Sequence, residues 1–394
     1  MAAQAGIAAL QLGLPAVAPD IRAEFGLSLT GTGALLAAST VGIMATLLAW
    51  GALADRVGER IVIAVGLTGA AGALALASQA GSGLELGGAL VLAGAFGSSA
   101  NAASGRAVVS WFGPSQRGFA LGVRHMATPL GGAVAAALLP LAAEAGGVEA
   151  ALLALAAACL AGALIAAVGL RRAEPGPADV AERAGSRGPL RDRAIWRLAL
   201  DSASVVIAQI SILSFLVLYL NEERGWSVTA AALALAGVQL GGAGARVAAG
   251  AWSDRLGSRI RPLRALALAA GAILALAAAL LPAPDAAAVP LLILAGVATM
   301  AGNGVSFAAA AEMAGRTRVG TALGLQNTVL AVAVTIASPL FGAAAGLLSW
   351  EAAFGLAAIF PLVGWAIFAP LVASERDHLV QRSGNSALSS RRRR

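Results

Sequence analysis

The chain has 394 residues, of which 59% are hydrophobic and only 12% are charged, and its mean hydropathy is +0.82. Soluble domains carry about 25% charged residues, so this composition excludes a string of soluble domains and indicates a polytopic helical membrane protein. The formal charge of +7 comes from 27 basic residues, all of them arginines. They fall in short clusters between apolar runs, which favours membrane orientation signals over a nucleic-acid partner.

Twelve apolar stretches of membrane-spanning length follow one another along the chain. They are rich in Ala, Leu and Gly and lack the alternation of strands, so we predict an all-α integral membrane fold. In chain order they cover about 2–19, 30–53, 61–80, 86–109, 118–142 and 149–170, and then about 198–220, 228–252, 263–281, 287–311, 319–347 and 350–372. This predicts an N-terminal six-helix bundle over 1–170, a cytoplasmic linker over 171–197, a C-terminal six-helix bundle over 198–372 and a disordered basic tail over 373–394.

Arginines and acids sort between alternate loops. The even-numbered spans are followed by loops that hold most of the arginines, whereas the opposite loops hold Arg22 and Arg224 beside several acids. By the positive-inside rule, this bias predicts that both termini lie in the cytoplasm. The membrane itself is expected to be a bacterial inner membrane. No cleavable signal peptide is expected from the N-terminal run. Cys159 is the only cysteine and lies in an apolar run, so we expect neither an intrachain disulfide nor a cysteine metal site.

A charged hairpin occurs at the same place in both halves of the chain. The stretch from Gly51 to Arg60 reads G-x-x-x-D-R-x-G-x-R, and it returns 199 residues later from Gly250 to Arg259. A charged hairpin repeated in this way indicates a duplicated six-helix bundle. Other stretches agree with the duplication: Gly118-Phe-Ala-Leu-Gly122 with Gly320-Thr-Ala-Leu-Gly324, Phe-Gly-Leu-Ser28 with Arg-Gly-Trp-Ser227, and Asn101 with Asn303.

On these residues the chain resembles the major facilitator superfamily (MFS) over essentially its whole length. The resemblance implies two lobes around a central cavity lined by spans one, four, seven and ten, and alternating access by rocking of the lobes. It also implies that the hairpins form a charge network that latches the lobes in the outward-facing state. The residues expected to gate in this way are Gly51, Asp55, Arg56, Gly58, Arg60, Gly250, Asp254, Arg255, Gly257 and Arg259. A second interpretation, in which they are only turn and orientation residues, stays open.

Ionisable residues inside the spans are candidates for substrate binding, because a charge in the bilayer is costly unless it has a function. Arg106, Arg124 and Arg246 lie within spans four, five and eight, although Arg106 could snorkel to the interface. His125, next to Arg124, could carry a proton near neutral pH. For a single histidine, simple packing remains the competing interpretation.

Polar residues on the expected cavity helices extend this set. The repeat aligns Gln326 and Asn327 with Arg124 and His125, and it places Asn101 and Asn303 at equivalent sites on spans four and ten. Gln209 on span seven completes the set of candidates. Helix–helix hydrogen bonding, worth only about 0.6 kcal/mol, is the alternative role for each amide. The acids lie near span ends, as with Asp20, Asp201 and Glu312, so a net positive cavity is expected to select an anion.

These features predict a secondary active transporter of a small organic or inorganic anion, with proton coupling. A narrower likeness, carried by the stretch from Gly105 to Arg124, is to nitrate/nitrite-like or cyanate-like permeases. A multidrug/proton antiporter is the first alternative, partly echoed by Thr128-Pro129-Leu-Gly131-Gly132. A transport-inactive sensor on the same fold is the second.

An enzyme is not expected, since no nucleophile, metal cluster or acid pair can be recognised and the histidines are only two, His125 and His378. No cofactor is expected, and no nucleotide-binding P-loop is present in the sequence. The expected partners are a small-molecule substrate, a proton and the lipid bilayer, with the protein acting as a monomer and without nucleic acid.

Overall fold

Helices make up the described part of the chain. The structure is a computed structural model that describes residues 2–111, 117–169, 192–314 and 319–369. The first half comprises α1 (Ala2–Gly13), a 3₁₀ helix (Leu14–Val17), α2 (Ala18–Phe25), α3 (Leu29–Val57), α4 (Glu59–Ala77), α5 (Gly83–Trp111) and α6 (Arg117–Gly169). The second half comprises α7 (Arg193–Glu222), α8 (Val228–Leu256), α9 (Ile260–Ala279), α10 (Asp285–Ala301), α11 (Asn303–Ala314), α12 (Val319–Leu347) and α13 (Trp350–Ile367).

Ten stretches among these residues are long and apolar enough to cross a membrane. The difference from the twelve predicted spans has two causes. Residues 2–25 are divided into three short helices, with proline in the first turn of both the 3₁₀ helix and α2. The stretch Met126–Gly169 contains two helical segments, separated at Gly146 and Gly147 by non-helical backbone angles. Each of the twelve predicted spans therefore lies on helix, whereas most of the predicted linker and the tail lie outside the described residues.

The repeated Gly-x-Ser stretches form the same turn in both halves. Gly26 and Gly225 adopt positive φ angles of 60° and 68°, a conformation that glycine reaches without steric cost. Two residues later, the Ser28 and Ser227 hydroxyls accept hydrogen bonds from backbone N–H groups at 3.0 and 3.2 Å and cap α3 and α8. The sequence repeat at these positions is thus a repeated helix start.

In both charged hairpins, the turn between the two helices begins at a glycine. Gly58 ends α3 at a φ of 88°, and Gly257 ends α8 at a φ of 58°, which explains why both copies have glycine there. The two other motif glycines, Gly51 and Gly250, lie inside helices, and a Cβ at either would meet nothing within 4 Å. They therefore make no close helix contact in this conformation. We call the end of the bundle with these hairpins the motif end, and the end with the Gly-x-Ser turns the far end.

Glycines bring the backbones of α3 and α5 into direct contact within the first half. A Cβ on Gly42 would lie 1.9 Å from the Val91 carbonyl oxygen, and one on Gly94 would lie 1.8 Å from the Ser39 carbonyl oxygen. In a membrane, where apolar burial does not drive helix association, such close packing is a main source of stability.

We expect Gly94→Val to lower the free energy of unfolding by about 3 kcal/mol, because rotation of a side chain cannot relieve a clash with backbone. Gly88→Val, on the same helix, is the matched control, since a Cβ at Gly88 meets no atom within 4 Å. Thermal unfolding of the purified variants in detergent measures the difference. Equal stabilities would contradict the close crossing.

The described contacts between the two halves concentrate toward the far end. Arg22 forms an ion pair with Glu222, and the Thr229 hydroxyl donates a hydrogen bond to Glu144. A Cβ on Gly33 of α3 would lie 2.3 Å from the carbonyl oxygen of Ser338 on α12. The hydrophobic clusters near the motif end are instead each built from one half, as in the cluster that contains Leu198, Ala249 and Leu263. The halves are closed against each other at the far end.

Two of these contacts lie near the middle of the bundle. Thr335 Oγ1 on α12 donates a hydrogen bond to Met44 Sδ on α3 at 3.2 Å. Gln239 of α8 is fully buried, and its Nε2 donates a hydrogen bond to the Leu12 carbonyl at 3.1 Å. Leu12 lies at the end of α1, just before the 3₁₀ helix. Gly132 of α6 allows this approach, because a Cβ there would lie 2.4 Å from Gln239 Oε1.

Candidate functional site

A break in the tenth predicted span organises the polar residues of the second half. Helix α10 ends at Ala301, Gly302 forms a turn, and α11 begins at Asn303. The Asn303 Nδ2 donates a hydrogen bond to Gln209 Oε1 on α7 at 3.1 Å. From α8, Arg246 Nε donates to the Met300 carbonyl oxygen at 3.2 Å, two residues before the break. The structure thus brings together three residues predicted from the sequence: Asn303, Gln209 and Arg246.

A second group of hydrogen bonds continues from Asn303 into the interior. Ser306 Oγ donates to the Asn303 carbonyl at 2.9 Å and accepts from Gln326 Nε2 at 3.1 Å. Gln326 is 1% exposed, and its Nε2 also donates to Ser202 Oγ at 3.3 Å. Gln326 therefore joins α12 to α11 and α7. Asn327 is exposed and donates to the Leu323 carbonyl of its own helix at 2.9 Å, so it takes no part in this group.

Asp201 is the residue that sequence reasoning placed wrongly. It was expected near a span end, but α7 begins at Arg193, which places Asp201 about two turns inside the helix. Its side chain is 2% exposed, and Oδ1 has no hydrogen-bond partner among the residues that the structure describes. A Cβ added to Gly364 of α13 would lie 2.4 Å from this oxygen, so Asp201 packs directly against that helix. The second half therefore contains a deeply buried acid.

The first half holds a pair equivalent to Asn303 and Gln209. Gln4 Nε2 on α1 donates to Asn101 Oδ1 on α5 at 2.7 Å. Spans one and four are thereby joined by a Gln–Asn contact, as spans seven and ten are. Sequence reasoning found Asn101 but missed Gln4, because the offset of the repeat that relates Asn101 to Asn303 relates Gln209 to Ile7 and not to Gln4.

Three of the predicted substrate residues cannot be placed further. Arg106 lies on α5, and Arg124 and His125 lie on α6, but their side chains are outside the described part of the structure. The same holds for the Asp55 side chain on α3. Their expected roles remain predictions.

The second charged hairpin forms an ion-pair network at the motif end. Arg259 Nη1 lies 2.5 Å from Asp254 Oδ1, and its Nη2 lies 2.9 Å from Glu312 Oε1 on α11. Burial opposes the charge of Arg259, but its bonds to Glu312 and Asp254 raise its pKa above the ordinary value. Asp254 and Arg259 are thus paired within the second half, and Glu312, which the sequence did not assign to the gate, shares the network.

The other gating candidates face outward at the motif end. Arg56, Arg60 and Arg255 are exposed. Glu59, between the two arginines of the first hairpin, is instead 8% exposed and makes a polar contact. Exposed charges contribute little to stability. The three exposed arginines are therefore free to form different contacts in different conformations without a large loss of stability.

Residues 2–333 match the family model of the Major Facilitator Superfamily. The chain is 37% and 36% identical, over 351 residues, to uncharacterized MFS-type transporters from two strains of Mycobacterium tuberculosis, covering 89% of this chain and 79% of each relative. Among solved structures, it is similar to a bacterial homolog of the human lysosomal transporter Spinster in an inward-facing and occupied conformation. That match has a TM-score of 0.80 and 16% identity, and it covers 95% of both chains. The unoccupied inward-facing form gives a TM-score of 0.76 at 15% identity, over 93% of this chain and 94% of that chain.

Proposed function

The chain belongs to the Major Facilitator Superfamily, and on that premise we propose that it is a secondary transporter whose substrate is a small organic or inorganic anion. Membership confirms the predicted all-α membrane fold and the prediction that the protein is not an enzyme. The names of the mycobacterial relatives specify no substrate, so the likeness to nitrate/nitrite-like and cyanate-like permeases gains no support from them.

Arg246 is the observation that carries the anion proposal. Its guanidinium group lies within a span and is engaged, among the described residues, by the neutral carbonyl of Met300 and by no carboxylate. That bond uses only Nε, whereas guanidinium has five N–H donors in a planar fork. Two parallel hydrogen bonds to a carboxylate or another oxyanion would use the remaining donors and neutralise the charge. A cationic substrate would leave the charge uncompensated.

The amides beside Arg246 give the site neutral donors and acceptors. Asn303 and Gln209 are partly or fully buried and lie next to the break between α10 and α11. Transporter substrates are often bound where a spanning helix is interrupted, because backbone and side-chain groups there are free to bind ligand. The Gln4–Asn101 pair offers the equivalent groups from the first half, so we propose that the substrate lies between the two pairs.

Alternating access is supported by the distribution of contacts between the halves. They are closed at the far end by the Arg22–Glu222 pair and by backbone contact at Gly33. With the motif end in the cytoplasm, as the arginine distribution predicts, this conformation is inward-facing. The protein is proposed to act as a monomer in the inner membrane with both termini in the cytoplasm.

A proton-coupled multidrug antiporter is the second candidate, and Asp201 is the observation that favours it. No carboxylate can be recognised inside the first predicted span, which counts against this class, but the second half has one inside α7. An acid within the membrane is compatible with a cationic substrate, so the two candidates differ in the sign of the ligand.

Thermal unfolding of the purified protein with added anions and cations separates the two candidates. We expect stabilisation by one class of anion, such as nitrate, cyanate or small carboxylates, and none by lipophilic cations. A ligand at about 100 times its dissociation constant adds about 2.7 kcal/mol to the stability of the folded state.

The control is Arg246→Gln, which should remove the stabilisation by the anion and leave the unfolding temperature without ligand nearly unchanged. Stabilisation by cations alone would establish the antiporter. If anions stabilise the protein but proteoliposomes show no flux of the same anion, the sensor interpretation replaces transport.

A further inference from the structure

The buried acid of α7 lines a small cavity that adjoins the proposed substrate site at Asn303. The cavity has a volume of about 20 Å³, close to what one water molecule requires. It is bounded by α7, α9, α10 and α11, and its polar lining comprises Asp201, Ser202, Asn303 and Ser306. Asp201 is 2% exposed. Its Oδ1 packs against Gly364 of α13, where it meets no hydrogen-bond donor among the described residues.

The arginines inside the helices packed around Asp201 bind other groups. Arg246 on α8 donates to the Met300 carbonyl at 3.2 Å. Arg264 on α9 lies 4.9 Å from the centre of the Trp365 ring and donates to the Trp365 carbonyl at 3.3 Å. The other charged residues of the surrounding helices lie near helix ends or in the hairpin network, namely Arg193, Arg197, Glu222, Asp254, Arg255, Arg261, Asp285, Glu312 and Glu351. Arg197, one turn before Asp201, is exposed, and none of the described side chains forms an ion pair with Asp201. An ionised Asp201 would therefore be a buried charge that these side chains leave unpaired, which is costly.

A second acceptor near this acid has no donor either. Gln326 Oε1 is buried and has no hydrogen-bond partner in the described part of the chain, whereas Gln326 Nε2 donates to Ser202 and Ser306. Ser202 follows Asp201 in the chain, and Ser306 donates to the carbonyl of Asn303 at 2.9 Å. Hydrogen bonds thus run from the neighbour of the acid to the residue that pairs with Gln209 at the proposed substrate site.

We propose that the Asp201 carboxyl binds and releases the coupling proton, and that the Ser202–Gln326–Ser306 hydrogen bonds link its protonation state to Asn303. This rests on the proposed transport function and names the site of its ion. In the described conformation the carboxyl is neutral, with the proton on one of its oxygens. Release of the proton to water leaves a carboxylate, which favours a rearrangement that brings water or a donor into the cavity. A small anion and one proton then cross together without net charge.

The proton itself is the probe for the first experiment, which requires no substrate. Infrared difference spectra of the protein in nanodiscs between about pH 5 and about pH 9, on either side of the usual carboxyl and histidine range, report protonated carboxyl groups through their C=O stretch. We expect one such band to be lost in Asp201→Asn and kept in Asp20→Asn, a matched change near the far end. A band unaffected by Asp201→Asn would overturn the assignment. Removal of the band by NaCl at constant pH would also overturn it, in favour of a sodium ion.

The second experiment tests coupling with the anion that stabilises the protein in the thermal screen. Asp201→Asn in proteoliposomes should lose accumulation driven by a pH gradient, by at least tenfold, and keep exchange of labelled for unlabelled anion. Accumulation equal to that of the unchanged protein would overturn the coupling role. Failure of the proposed function is distinguishable, since without any anion ligand the infrared band and its loss in Asp201→Asn can still be measured.

Discussion

We expect Gly33→Leu to abolish transport while the protein still folds. A Cβ at this position of α3 would lie 2.3 Å from the Ser338 carbonyl oxygen and 2.6 Å from its carbonyl carbon on α12. The obstacle is backbone, so the leucine side chain can be accommodated only if the two helices separate. Because α3 and α12 belong to different halves, separation keeps the far end open and leaves each half intact. The variant is thus trapped in the outward-open state.

Labelling of Ser338→Cys with a membrane-impermeant maleimide measures this opening. Ser338 is 2% exposed in the closed far end, so its cysteine should react slowly alone and at least tenfold faster in combination with Gly33→Leu. Native Cys159 is buried and can be replaced by alanine to remove background. Gly88→Leu, where a Cβ meets nothing within 4 Å, should alter neither labelling nor flux. Normal flux in Gly33→Leu would contradict the idea that these helices must meet in each transport cycle.

The second large effect is expected for Arg246→Gln, which should weaken anion binding by about 10- to 150-fold, the equivalent of the 1.5–3 kcal/mol typical of hydrogen bonds to charged groups. Glutamine retains a donor for the Met300 carbonyl but removes the charge and the planar fork. Arg246→Lys restores the charge without the fork, so it should recover only part of the affinity. Initial uptake rates against anion concentration in proteoliposomes give these values.

Arg264→Gln is the matched control for the loss of an arginine from a spanning helix. Its guanidinium packs on the Trp365 ring away from the proposed substrate site, so the anion affinity should remain within a factor of two or so of the unchanged protein. An unchanged affinity in Arg246→Gln would refute the anion site, whatever the control shows.

The architecture follows from the sequence because its signals are local. Runs of apolar residues define the spans. The Gly-x-Ser turns at Gly26 and Gly225 can be recognised as two copies of one pattern from the sequence alone, without knowledge of tertiary contacts. The interruption of the first span was harder to predict from the sequence. Pro15 and Pro19 divide this span, but whether a proline bends or interrupts a membrane helix depends on which neighbours satisfy the freed carbonyls.

The site was only partly predictable, because partners depend on how each helix is rotated. Neighbouring residues on a helix point about 100° apart, so a repeat can identify Asn101 and Asn303 without revealing that Gln4 and Gln209 face them. Asp201 was misplaced for a related reason. The apolar run begins after Arg197, but the helix starts at Arg193 and its first turns are covered by α9 and α13.

The hydrogen bond between Gln239 and Leu12 has a mechanical consequence for the cycle. Together with the contact between Thr335 of α12 and Met44 of α3, it lies near the middle of the bundle and can serve as a fulcrum. Arg246 follows Gln239 by seven residues on the same helix, about 10 Å, whereas Gly257 lies about 27 Å away at the hairpin. Rotation about this point gives Arg246 a lever arm less than half that of the hairpin. The entrances can therefore swing widely while the ligand stays close to the residues that hold it.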